Sequence, residues 1–230
     1  MFIPLHDTNA LKHIKVQYVT ISIIAINVVV WLVTGLASTQ SFSDAAVVGL
    51  GYIPAVVFDY ADLEPALVLV PEDATYITYA FLHGDFMHLA SNMLFLWVFG
   101  DNIEDALGHV KFAAFYLACA ALSGLVYILF ATGTYTWLIG ASGAVAGVMG
   151  AYIVLYPHAR VYVLLGLTIP IPLPLPALWM LGAWAAVQLF YLFFGDASPV
   201  AWSAHVGGLI AGAALCVPLK RRDVALFGGR

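Results

Sequence analysis

Charge is scarce in this chain. Only 9% of its 230 residues are Asp, Glu, Lys or Arg, while 63% are hydrophobic. Water-soluble domains carry about a quarter charged residues. A soluble fold of this size has no interior large enough to hide so much apolar surface, whereas a bilayer has. Segments of about ten residues with strict alternation, the mark of a membrane β-barrel, are missing too, so a helical membrane protein is expected. Cysteine is almost absent. Cys119 and Cys216 each lie within an apolar run, which argues against a disulfide framework and a cysteine metal cluster. No H-E-x-x-H occurs, which argues against a zinc site. No metal, cofactor or nucleic-acid partner is expected.

The apolar residues gather into six stretches long enough, or nearly so, for a hydrocarbon core that needs about 20 helical residues. They run Tyr18–Ser38, Ile77–Phe99, Phe112–Thr132, Trp137–Tyr156, Leu175–Phe194 and Ser203–Leu219. The first is longer than the roughly 7–15 apolar residues of a cleaved signal peptide and reads as a span. The eight basic residues are Lys12, Lys15, Lys111, Arg160, Lys220, Arg221, Arg222 and Arg230. With six spans they all fall on one side, which the positive-inside rule makes the cytoplasm, with both termini.

Basic residues are missing altogether from the long outer connection, Thr39–Tyr76. It carries Asp44, Asp59, Asp62, Glu64, Glu72 and Asp73 beside apolar runs, and it reads as a structured loop at the membrane interface. The inner connection Gly166–Pro176 is rich in proline, which lacks an amide donor and favours extended chain. It reads as a stiff linker entering the fifth span. A single transmembrane domain over residues 1–230 is expected.

Polar groups within spans are costly and are functional candidates by default. Four stand out: His88 and Asn92, one helical turn apart on the second span, Ser142 at the start of the fourth, and His205 near the start of the sixth. Ser142 lies in Gly140-Ala141-Ser142-Gly143, with Gly147 beyond; His205 precedes Gly207 and Gly208, with Gly212 beyond. The pairs Gly143/Gly147 and Gly208/Gly212 are small-xxx-small patterns that let membrane helices approach closely. Such packing can bring a serine hydroxyl within reach of an imidazole. A serine is a weak nucleophile until a base takes its proton, and neutral histidine suits that role near neutral pH. Helix-start amides stabilise an anion, and His88 and Asn92 can add donors. No Asp or Glu lies in the fourth or sixth span, so the expected machinery is a dyad.

With these residues in view, the chain resembles the rhomboid family of intramembrane serine proteases. The resemblance rests on three motifs in order: His83…His88…Asn92, Gly140–Gly150 (Gly-Ala-Ser-Gly-Ala-Val-Ala-Gly-Val-Met-Gly) and Ala204–Gly208 (Ala-His-Val-Gly-Gly). It implies an all-α, six-transmembrane-helix rhomboid-like bundle. It also implies Ser142 as nucleophile, His205 as base, and an oxyanion hole of His88, Asn92 and the Ser142 amide. His83 matches a structural histidine and Glu104 an acidic residue that braces helix ends. The fifth and sixth spans match a substrate gate, and the implied partners are transmembrane segments of other proteins within the lipid bilayer. Oligomeric state stays open. The chain departs from a common pattern at Ala74 and Thr75, where many members have Trp-Arg, and at Ala146, where an aromatic side chain can stack on the catalytic histidine.

Two other readings stand beside this one. A non-catalytic rhomboid-like protein that binds transmembrane segments for quality control would be expected to lack the serine or the histidine. A small transporter would show a polar stripe through the membrane or inverted repeats, while the polar residues here cluster on the outer side. The absence of a large extra domain or leader favours a bacterial plasma membrane. The charge distribution predicts that a cysteine placed at Lys12 or Arg222 reacts with an impermeant maleimide only after the membrane is opened. One placed at Asp59 or Asp62 should react in intact cells; the reverse pattern would invert the topology.

Overall fold

The computed structural model describes residues 2–36, 39–131, 133–165, 171–195 and 200–228. In chain order these form β1 (Phe2–Asp7), α1 (Tyr18–Trp31, continued by a π-helical turn at Leu32–Leu36), α2 (Gln40–Leu50) and α3 (Pro54–Val57). After 3-10 turns at Pro65–Leu67 and Glu72–Ala74 come α4 (Thr75–Thr78), another such turn at Tyr79–Phe81, α5 (Phe86–Leu107), α6 (His109–Ala131) and α7 (Ser142–Leu155). The chain ends with β2 (Arg160–Leu165), β3 (Leu173–Pro176), α8 (Ala177–Phe194) and α9 (Trp202–Leu219).

Four helical segments are long and apolar enough to cross a membrane: Tyr18–Leu36, His109–Ala131, Ala177–Phe194 and Trp202–Leu219. Two of the six expected spans differ from this pattern. The second begins at Phe86, not Ile77, and runs on to Leu107. The break has a local cause. The Asp85 side chain caps the helix by accepting from the His88 amide at 2.8 Å, while the chain before it is only a short helix and a 3-10 turn. At the other end Gly108 turns with φ 85°. The fourth span is also shorter than expected: α7 has 14 residues and begins at Ser142, so Trp137–Ala141 is not part of it. At about 1.5 Å per residue it rises only about 21 Å, less than a hydrocarbon core of about 30 Å. Ser38 and Thr132, at the expected ends of the first and third spans, lie outside the described residues, as do residues 166–170 of the proline-rich connection and Arg230.

Helix α7 is the centre of the bundle. Every residue from Gly143 to Tyr152 is buried, and a helix buried all round needs small side chains where its neighbours come closest. A Cβ on Gly208 would strike the Gly143 carbonyl, one on Gly212 the Gly147 carbonyl, and one on Gly150 the Leu209 carbonyl. The opposite face meets α6, where a Cβ on Gly143 would strike Ser123 and one on Gly147 would come within 2.6 Å of Cys119 Sγ. The glycines thus wedge α7 between α6 and α9. The Ser123 hydroxyl donates to the Ala204 carbonyl at 2.8 Å, a bond from α6 to α9 just before His205.

The connection Thr39–Tyr76 is structured, as its composition suggested. Tyr52 and Leu138 exchange backbone hydrogen bonds of 3.1 and 2.8 Å, and Thr78 donates to the Leu50 carbonyl at 2.6 Å. Thr75 bonds the Glu72 carbonyl at 2.6 Å, so the loop is braced locally without a Trp-Arg pair. Its outer surface exposes Phe42, Phe58, Tyr60, Val68 and Leu69.

The far end of the bundle holds a feature that the all-α expectation left out, a three-stranded antiparallel sheet in the order β1-β2-β3. The proline-rich linker is indeed extended, but it is paired, with Val163 opposite Leu173 and Tyr162 opposite Pro174. Pro174 and Pro176 are tolerated because β3 is an edge strand, and alternate residues can point their missing donors outward. Strand β1 then ties the N-terminal arm to the bundle. Asp7 accepts from the Tyr152 hydroxyl and from Asn102 at 2.9 Å. Burial pushes the Asp7 carboxyl above its ordinary range, while Tyr152 and the Asn9 amide pull it down. Asp105 accepts three backbone amides, from Lys12, His13 and Ile14, at 3.0, 2.6 and 2.7 Å.

Glu104 is fully buried and braces helix ends. It accepts from the Val19 amide at 2.9 Å and from the amide and hydroxyl of Thr20 at 2.8 and 2.7 Å, and it meets His109 Nδ1 at 2.5 Å. The Val19 and Thr20 amides are orphan donors of the first turn of α1. Glu104→Ala strands them, and the expected loss is about 3–5 kcal/mol by analogy with breaking a buried charged pair. A thermal unfolding series in detergent measures it; an unchanged midpoint would contradict the bracing role.

Candidate active site

Three helices start at the same end of the bundle and bring their first turns together. His88 and Asn92 sit in the early turns of α5, Ser142 is the first residue of α7, and His205 lies in the first turn of α9. Helix starts carry unpaired amides and a partial positive charge, so each of these first turns offers hydrogen-bond donors.

The segment before Ser142 is held on several sides. Tyr52 bonds Leu138, and the Gly140 amide donates to the Tyr79 carbonyl at 2.9 Å. Tyr79 is itself anchored by its hydroxyl to the Ala120 carbonyl at 2.8 Å. The Ala141 amide donates to His83 Nε2 at 3.4 Å, which gives His83 a place in the loop's scaffold rather than on the cavity wall. Gly140 turns with φ 114°, and a Cβ there would come within 2.5 Å of His88 Nε2. Glycine is thus needed twice at this position, for its backbone angle and for the close approach of His88.

The central contact is short. His205 Nε2 lies 2.8 Å from Ser142 Oγ, a hydrogen-bond distance that also suits proton transfer. The glycine packing of α7 against α9 sets this distance, since the two residues sit at the ends of the paired glycine rows. His88, Asn92, Ser142 and His205 all line one cavity of about 1140 Å³, whose walls include Trp137 and Trp184. Asn92 is buried, and its Nδ2 has no hydrogen-bond partner among the described residues. A buried amide donor normally finds an acceptor, and Asn92 is one of the residues that line the cavity. His83 and His88 rings meet edge to face at 5.0 Å between centroids.

Position 146 is alanine, so the His205 ring is steadied from elsewhere. Trp184 lies tilted against it at 5.8 Å and Trp202 stands edge-on at 6.2 Å. Gln188 on α8 is a further neighbour, its Oε1 lying 2.7 Å from His205 Nδ1. A signal for it is present in the sequence, because it is the one amide side chain in the fifth apolar stretch. It carries no charge and lies on the fifth stretch, so the lack of Asp and Glu in the fourth and sixth does not point to it. Among the described residues no three His, Cys, Asp or Glu side chains converge as metal ligands.

Comparison with known proteins agrees with this architecture. A family model described as the rhomboid domain matches residues 72–222, which include every residue named at the site except Tyr52. The chain is 31% identical over 170 residues to the rhomboid protease GlpG of Klebsiella pneumoniae, covering 72% of this chain and 55% of that one. It is 33% identical over 144 residues to the rhomboid protease GlpG of Salmonella choleraesuis, covering 61% and 46%. To the mitochondrial rhomboid protein 1 of Saccharomyces cerevisiae it is 30% identical over 142 residues, covering 58% and 38%. The matched part is thus about half the length of these relatives, or less. With the family match covering more than half of this apolar, multi-pass membrane chain, the protein belongs to the rhomboid family.

Proposed function

We propose that this protein is a serine endopeptidase that cuts transmembrane segments of other membrane proteins inside the bilayer. The observation that carries the reading is the 2.8 Å contact between His205 Nε2 and Ser142 Oγ, set in a cavity beside a buried, unpartnered Asn92 donor. His205 Nε2 takes the Ser142 proton as the oxygen attacks the scissile carbonyl. The carbonyl oxygen becomes an oxyanion, held by Asn92 Nδ2, His88 and the Ser142 amide. His205 then gives its proton to the leaving amine, and the C–N bond breaks to leave an ester on Ser142. A water molecule, deprotonated by His205, attacks the ester; as the C–O bond breaks His205 returns that proton to Ser142 Oγ, and the new carboxyl terminus leaves. The relatives named rhomboid protease support the same reading.

The six crossings in this reading are α1, α5, α6, α7, α8 and α9. The sheet and the basic residues face the cytoplasm, and the cavity opens towards the outer side. A helix as short as α7 then places Ser142 below the membrane surface, where a transmembrane segment can reach it.

Purified protein incubated with a single-span substrate is expected to yield a discrete product, and Ser142→Ala and His205→Ala to yield none. Asn92→Ala should lower turnover by about 10²–10³, the usual effect of losing one oxyanion donor. Cleavage by Ser142→Ala at the parental rate would sink the mechanism.

A further inference from the structure

Helix α8 is largely exposed. Its buried residues are Ala177, Met180, Leu181 and, more than a turn further on, Gln188. Gln188 is thus a primary amide turned inward from a helix whose later residues, Leu189, Phe190, Phe193 and Phe194, are exposed and apolar. An amide buried at this depth is costly without partners, and Gln188 has two. Its Nε2 lies 3.2 Å from the Trp184 carbonyl, and its Oε1 lies 2.7 Å from His205 Nδ1.

These contacts define where the protons are. The Trp184 carbonyl can only accept, so the NH2 of Gln188 must face it. That leaves Oε1 towards His205, and an amide oxygen can only accept. His205 Nδ1 therefore carries a hydrogen and donates it. In neutral imidazole the other nitrogen is then bare, and that nitrogen, Nε2, faces Ser142 Oγ at 2.8 Å.

We infer that Gln188 is a positioning residue for the proposed reaction: it holds His205 in the tautomer and orientation that make Nε2 the base, forming a Ser142–His205–Gln188 chain across α7, α9 and α8. The inference rests on the protease reading above. A neutral amide serves the third position with no buried carboxylate, which suits a segment surrounded by lipid-facing apolar residues. It orients the imidazole without adding a negative charge to stabilise the imidazolium. Because Gln188 stands on α8 while the dyad stands on α7 and α9, the base is correctly set only while α8 lies against α9.

The test uses the full chain in detergent, a fluorophosphonate probe that reacts with Ser142, and a single-span substrate. The variants are Gln188→Leu and Gln188→Glu, each followed from acid to alkaline pH. Gln188→Leu is expected to lower kcat and the rate of Ser142 labelling by roughly tenfold or more, within the range of a general base's contribution, with KM and the thermal midpoint little changed. Gln188→Glu is expected to retain labelling at alkaline pH. Its acid limb should move to higher pH, because a carboxylate at Nδ1 favours the imidazolium and His205 then frees Nε2 only at higher pH. A folded Gln188→Leu protein labelled at the parental rate would overturn the inference. So would a Gln188→Glu acid limb that coincides with the parent's, which keeps the test decisive if the leucine variant misfolds. Absence of Ser142 labelling in the parent would instead remove the protease reading, and this inference with it.

Discussion

The backbones of α7 and α9 touch. At Gly143 against Gly208 and at Gly147 against Gly212, one helix's carbonyl occupies the space a side chain would need on the other. In a bilayer no hydrophobic effect drives helices together, so close van der Waals approach and buried hydrogen bonds carry the association. The dyad stands at the end of these glycine rows. Moving the helices apart by the width of one methyl group would stretch the 2.8 Å contact between Ser142 and His205 beyond hydrogen-bond range. The Ser123 bond to the Ala204 carbonyl locks the third helix, α6, to the same place.

The polar groups of the molecule divide into two sets with different tasks. At the far end, carboxylates satisfy backbone donors. Glu104 holds the start of α1 and Asp105 holds the arm before it, while the sheet fastens that arm to the chain leading into α8. At the site end Asp85 is the one carboxylate lining the cavity, and it caps α5; the other polar groups there are neutral amides, hydroxyls and imidazoles, and one of them, Asn92 Nδ2, has no partner among the described residues. A set of donors waiting for an acceptor is what stabilisation of a developing oxyanion requires. The far end is therefore built for rigidity, and the site end keeps hydrogen-bonding capacity in reserve.

Much of this was legible in the residues alone. The scarcity of charge and the long apolar stretches pointed to a helical membrane protein. Ser142, His205, His88 and Asn92 stood out because polar groups in apolar runs demand a reason. The helix ends were less legible. Hydropathy sees Ile77–Phe99 as continuous, but the Asp85 cap and the Gly84-Asp85 break begin the helix later, and Asn102, Glu104 and Asp105 extend it because their partners lie in a distant arm. The sheet escaped notice because β1 is one short segment whose pairing with β2 spans most of the chain. Gln188 was not legible as a third member because it carries no charge, and within a membrane an amide can take that position.

The central claim is that glycine packing between α7 and α9 sets the reactive geometry of Ser142. Its most direct test is the rate at which a fluorophosphonate labels Ser142 in Gly208→Ala and Gly212→Ala proteins whose helical circular dichroism matches the parent's. Labelling slowed at least severalfold in folded Gly208→Ala protein is the predicted result, because the added methyl group pushes α9 off the Gly143 carbonyl and His205 away with it. Labelling at the parental rate in that protein would contradict the account.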